Sequence, residues 1–309
     1  MTTKTSTLLR ITTAIAICFS ANAHSPDAAK YHRVELCAAQ NASATFSASS
    51  TASNIQSTQN PISEILEFKS EIFDETRQIY VSLPDGYSNS EKTYPVLYVL
   101  PYQKSIFQTD IQDLRSLQKE DDSIPEMIII GLGDTNGMAD LTPSNTSNYG
   151  ATSGGADKFL RYIKEEVFPY IDNNYRTKNC RIVKGHSIEG LLFLFALLSQ
   201  PDMFAAYALS SPYLIYDGGE KFILNSMVSY LDKRPPLKNH LYITVGDEPK
   251  LISNIQSFLN TLEAKSPEGL EVKFEIKREH SHKTIKTIIL AEGLKSIYTN
   301  WKSACADTQ

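Results

Sequence analysis

The chain has no excess of positive charge, no long apolar run and few cysteines, and each shortage removes a class of function. Its 309 residues carry a formal net charge of -5, so it lacks the basic footprint that neutralises nucleic-acid phosphates or anionic membrane surfaces. The apolar run near the N-terminus extends only from Ile11 to Phe19, far short of the roughly 20 residues a membrane-spanning helix needs, so no stable membrane anchor is expected. Cysteine and histidine never fall into zinc-ligand spacing, and no glycine-rich phosphate loop appears. Neither a metal nor a nucleotide cofactor is called for, and no internal repeat is visible.

What is present describes an ordinary globular protein, with 41% hydrophobic and 21% charged residues. Lys4 and Arg10, then the apolar run, then Ala21-Asn22-Ala23 follow the basic, hydrophobic and small-residue order of a signal peptide. Cleavage after Ala23 would export the chain to the periplasm or the medium, and Cys18 would be discarded with the leader. Cys37, Cys180 and Cys305 would remain, an odd number. A Cys37–Cys305 disulfide would clip the ends of the mature chain together, leaving Cys180 as a buried thiol; connectivity does not follow from sequence. Residues 24–60, rich from residue 38 onward in Ser, Thr, Ala, Asn and Gln, read as a flexible linker, because such a stretch buries too little apolar area to offset its ordering entropy. The folded domain is then 61–309.

Within that domain Ile65–Phe73 and Arg77–Leu83 predict an antiparallel hairpin. Val96–Leu100 and Met127–Leu132 are unbroken apolar runs, as expected of strands covered on both faces of a parallel sheet. A helix is expected over 108–119, and a longer one over Gly155–Tyr175, with Pro169 kinking or breaking it. The pattern continues as strand 181–184, helix 188–199, strand 205–210, helix 219–232, strand 241–245, helix 250–263, strand 272–277 and helix 284–301. Alternating strands and helices predict an α/β fold with a mostly parallel central sheet and helices on both faces.

Ser187 lies where the strand Arg181–Lys184 meets the apolar helix, in Gly185-His186-Ser187-Ile188-Glu189-Gly190. That is the shape of a nucleophile elbow, in which a sharp strand-to-helix turn pushes the serine Oγ out above the sheet. A serine hydroxyl needs a base to take its proton, an acid to orient that base, and donors for the oxyanion. Asp247-Glu248 follow strand 241–245, and His280 and His282 follow strand 272–277. Both groups therefore fall at C-terminal strand ends, where open α/β sheets hold their active sites, and the order of serine, acid and histidine is that of α/β-hydrolases. The bland readings are a helix cap for Asp247 and Glu248, solvated loop histidines for His280 and His282, and a packing role for His186.

Six segments carry a resemblance across most of the folded chain: Tyr94-Pro95-Val96-Leu97-Tyr98-Val99-Leu100, Asp140-Leu141-Thr142-Pro143, Gly154–Phe159, Phe168–Thr177, Gly185-His186-Ser187 and Ser211-Pro212-Tyr213-Leu214. In this order the chain resembles the esterase family of α/β-hydrolases that includes esterase D, feruloyl esterases, trilactone siderophore esterases and, more distantly, mycolyltransferases. The resemblance implies Ser187 as nucleophile. It implies His282 as base, through His282-Lys283-Thr284-Ile285, in preference to His280. It implies Glu248 in Gly246-Asp247-Glu248 as the orienting carboxylate, in preference to Asp247. A small-molecule ester is the implied substrate.

The chain departs from the family pattern twice. Many relatives place Leu-Asp-Gly after the third central strand, where this chain has Leu100-Pro101-Tyr102-Gln103. Proline has no N–H, so the oxyanion donors expected are Tyr102 or Gln103 together with Ile188. The second glycine of the elbow is delayed to Gly190, with Glu189 in its place. That carboxylate gains from the helix N-terminus but must fit where helix and strand pack, and it would tend to repel anionic substrates. Tyr213, Tyr216 and Phe222 are either a pocket wall or simple core, and the polar loop 133–153 either shapes the cleft or is merely mobile. The reading is an exported serine esterase; the alternatives are a catalytically silent binding protein of the same fold and an acyltransferase.

Overall fold

The computed structural model describes residues 31–34, 61–101, 103–145, 152–215, 223, 229–231, 237–265, 269–300 and 305. Their centre is a nine-stranded sheet in the order β1-β2-β3-β5-β4-β6-β7-β8-β9. The strands are β1 Tyr31–Val34, β2 Glu64–Ser70, β3 Glu75–Ser82, β4 Tyr94–Val99, β5 Ile128–Leu132, β6 Thr177–His186, β7 Ala206–Ser210, β8 His240–Val245 and β9 Glu271–Ile276. From β5 across to β9 every pair is parallel. The expected hairpin of β2 and β3 is antiparallel and joins through β3 antiparallel to β5. β1 pairs antiparallel with β2 inside the segment read as linker.

The parallel strands are apolar on both faces because both faces are covered. In β4, Val96 and Tyr98 enter one core cluster and Leu97 and Val99 the other, and in β6 Val183 and Ile182 divide the same way. One face packs against α1 (Lys104–Glu120) and α7 (Ile289–Asn300), through Phe107, Ile111, Leu114, Leu294 and Ile297. The other packs against α3 (Ala156–Tyr162), α4 (Phe168–Asn174), α5 (Ile188–Ser199) and α6 (Pro249–Lys265). α5 is buried from Gly190 to Ser199, which is why its sequence is apolar all round instead of striped.

The long helix expected over 155–175 forms, but as α3 and α4 joined by a π-helical turn at Ile163–Val167. The irregularity sits just ahead of Pro169, whose ring and missing N–H disrupt regular i to i−4 bonding there. The 133–153 loop holds the short helix α2 (Gly137–Leu141), which the sequence reading lacks. Asp140 anchors α2 by accepting from Arg77 Nη1 at 3.0 Å and from the Asn136 N–H at 3.0 Å. The helix expected over 219–232 falls largely outside the described residues, as do the leader and most of 24–60.

One pairing is corrected. Cys180, expected as a buried thiol, is bonded to Cys305, with Cα atoms 5.3 Å apart. Cys180 belongs to the core cluster covered by α1 and α7, and Cys305 follows α7 and packs on that same cluster, so the chain end reaches Cys180 directly. Cys37 lies outside the described residues.

Candidate active site

Ser187 stands between β6 and α5 with φ 56° and ψ -113°, a backbone setting that costs an L-residue energy and needs the surroundings to hold it. Those surroundings are backbone bonds: the Ser187 N–H donates to Ser210 O at 3.0 Å, and Ser187 O accepts from the Leu191 and Tyr213 N–H groups at 3.1 and 2.9 Å. The turn is tight enough that a Cβ on Gly185 would lie 2.7 Å from the Phe193 ring. A Cβ on Gly190 would meet Pro212 at 3.0 Å. The delayed glycine therefore has a packing reason of its own, since α5 crosses the loop after β7 at residue 190.

Glu189 turns back over the elbow. Its Oε2 accepts the His186 N–H at 3.1 Å, so the extra side chain braces the turn. Burial, opposed by that hydrogen bond and by Lys184, pushes its carboxyl up to about 7. At neutral pH it is thus partly protonated, and the expected repulsion of anionic substrates is correspondingly weakened.

His282 Nε2 lies 3.0 Å from Ser187 Oγ, and His282 Nδ1 lies 2.6 Å from Glu248 Oε2. The other oxygen of Glu248 accepts from Ser211 Oγ at 2.5 Å. The hydroxyl, imidazole and carboxylate thus form one hydrogen-bonded line across the C-terminal ends of β6, β8 and β9. Asp247 and His280 stand outside it. Asp247 makes an exposed ion pair with Arg278 at 3.2 Å, while the His280 carbonyl accepts the Asp247 N–H at 2.7 Å. That backbone bond ties the segment bearing Glu248 to the segment bearing His282. A Cβ on Gly246 would lie 2.4 Å from the same carbonyl, so only glycine permits the approach.

Ile188 opens α5, and the first N–H groups of a helix have no intrahelical partner, so its N–H is available at the serine. Gln103 is the N-cap of α1, in the connection that follows β4, the sheet neighbour of β6. Tyr102 lies outside the described residues, as do Tyr216 and Phe222. Tyr213 is half-buried and packs against the core. Ser211 was missed at the sequence level; its signal was the Ser211-Pro212-Tyr213 segment, quoted for family likeness and never assigned a bond to the acid. His186, read as a packing residue, places its Nδ1 3.0 Å from Ser210 Oγ and its ring centroid 4.7 Å from that of His282.

A parallel-centred sheet covered by helices, with a serine on a strained strand-to-helix turn, defines the class as an α/β-hydrolase. The Esterase family model matches residues 70–296. The chain belongs to this family, and its activity class is carboxylic ester hydrolysis. It is 23% identical over 261 residues to the ferri-bacillibactin esterase BesA of Bacillus subtilis, covering 76% of this chain and 89% of that protein. The structure of an IroE-like serine hydrolase from Shewanella oneidensis is similar with a TM-score of 0.68 at 26% identity, over 75% of this chain and 78% of that one. That of the BES protein from Bacillus cereus is similar with a TM-score of 0.66 at 24% identity, over 80% and 98%.

Proposed function

We propose that the chain is an exported serine esterase that cleaves a small ester of the siderophore kind. The observation that carries it is the line of hydrogen bonds from Ser187 through His282 to Glu248. Ser187 Oγ attacks the ester carbonyl while His282 Nε2 takes its proton, and Glu248 holds Nδ1–H and so fixes the tautomer that leaves Nε2 free to accept. The carbonyl oxygen, now an oxyanion, is received by the Ile188 N–H and a donor from the Tyr102-Gln103 segment. The imidazolium returns the proton to the departing alcohol as the C–O bond breaks. Water then repeats the sequence on the acyl-serine, releasing the acid and restoring the hydroxyl.

The names of the relatives support the substrate: BesA is a ferri-bacillibactin esterase, and a protein of Aspergillus fumigatus 33% identical over 106 residues is a siderophore triacetylfusarinine C esterase. Export is supported by the leader-like N-terminus and by the Cys180–Cys305 disulfide, since such bonds persist in oxidising compartments. Among the described residues no helix is long and apolar enough to cross a membrane.

Purified mature protein is expected to react with a fluorophosphonate probe at Ser187, and Ser187→Ala is expected neither to label nor to turn over an ester. Equal labelling of the two would overturn the assignment. Offered a trilactone siderophore, a feruloyl ester and a short nitrophenyl ester, the enzyme is expected to show its highest kcat/KM on the first; a preference for the feruloyl ester would refute the substrate class.

A further inference from the structure

His186 has no step in the reaction above, yet it is built into the site from three directions. Its Nδ1 lies 3.0 Å from the hydroxyl of the buried Ser210 on β7, and its N–H is taken by Glu189 of α5 at 3.1 Å. Its ring meets that of His282 at 4.7 Å with the planes inclined by 46°. His282 needs such a contact. Hydrogen bonds at its two nitrogens restrain the imidazole along the line joining Ser187 and Glu248, but they leave it free to swing about that line, and its side chain is 40% exposed.

We propose that His186 is a positioning residue whose ring backs the His282 imidazole and keeps Nε2 aimed at Ser187 Oγ. The proposal rests on the assignment of Ser187 and His282 as nucleophile and base. A ring at this place must also remain uncharged, because the imidazolium formed during attack would be repelled by a second cation at this separation. Burial first, then His282 itself, Lys286 of the same segment and Lys184 of β6 all favour the neutral form of His186, bringing its pKa down to about 4. The Glu189 carboxyl on α5, partly protonated at neutral pH, is engaged with the backbone N–H of His186. Histidine thus offers a flat neutral face and, through Nδ1, an anchor to Ser210.

The test compares wild type with His186→Phe, His186→Gln, His186→Ala and His186→Lys. It measures kcat and KM on a nitrophenyl ester from about pH 5 to about pH 9, the rate of fluorophosphonate labelling at Ser187, and thermal unfolding of each variant. Phenylalanine keeps the ring contact and is expected to hold kcat within about threefold of wild type. Alanine and glutamine lose it and are expected to lower kcat and the labelling rate by about 10- to 100-fold with KM little changed, as a misaimed base would. Either variant suffices should the other fail to fold. Lysine is expected to move the acid limb of kcat/KM to lower pH, because a fixed cation disfavours protonation of the neighbouring base. Wild-type rates in the alanine and glutamine variants, or a phenylalanine variant as slow as alanine at equal thermal stability, would overturn the proposal. Absence of Ser187 labelling in wild type would instead sink the nucleophile assignment.

Discussion

At Glu189 a carboxyl group sits where water is scarce, and the consequence is a stability that varies with pH. Burial is the largest cause of its raised pKa, with Asp110 acting in the same sense and the His186 N–H, Lys184 and Lys286 in the other. Between the ordinary value of 4.5 and the folded value of about 7 the folded chain holds more proton than the unfolded chain. Its contribution is therefore fully present below the lower value and is lost as pH rises through the upper one. Glu189→Gln keeps an oxygen for the His186 N–H and removes the ionisation. The variant is expected to match wild type near pH 4.5 and to exceed it by about 3 kcal/mol above pH 7, read from urea unfolding at both pH values. A gap of the same size at both would refute the account. The residue types of the site were legible: Ser187, His282 and Glu248 stand where strand ends and family motifs place them. The bond from Ser211 to Glu248 was not, because a serine after a strand looks the same whether it caps, packes a loop or anchors a carboxylate.

Among the elements, the junction of the loops following β8 and β9 governs whether Glu248 and His282 meet. Glu248 belongs to one loop and His282 to the other, and the Asp247 N–H to His280 O bond joins them beside Gly246. Gly246→Ala must push the two loops apart, since a Cβ at 2.4 Å from a carbonyl oxygen has no room and the obstruction is backbone. It is expected to lower kcat at least about tenfold while unfolding remains cooperative, because a displacement of about 1 Å at a proton-transfer site is felt more in rate than in stability. Steady-state kinetics beside calorimetry check this; unchanged kcat would show that the loops accommodate the methyl. Among the described residues, the strand and helix order from β2 to α7 followed from apolar periodicity. The π-helical turn at Ile163–Val167 and the short α2 did not, because both depend on a few side chains, Pro169 in one and Arg77 with Asp140 in the other, whose effects no local pattern announces.

For the molecule as a whole, the Cys180–Cys305 bond closes a loop of 125 residues that contains Ser187, Glu248 and His282. Cross-linking so long a loop restricts the unfolded chain, and Cys305→Ser is expected to cost about 3 kcal/mol and lower the unfolding temperature, with a small effect on kcat. The kinetic effect is small because Cys180 lies toward the start of β6 and Ser187 beyond its end. Reducing agent should reproduce the loss in wild type and leave the variant unmoved; equal sensitivity of both would contradict this pairing. Composition and periodicity were enough to specify an α/β chain, its order of elements and the strand ends from which chemistry would come, because these depend on contacts along a few residues. Family motifs already favoured His282 over His280 and Glu248 over Asp247, but the hydrogen bonds that bring them to Ser187, and the choice of Cys180 as partner for Cys305, depended on distances between segments far apart in the chain. Neighbouring residues in a loop share their sequence context but point different ways, and packing alone sets which one reaches the serine.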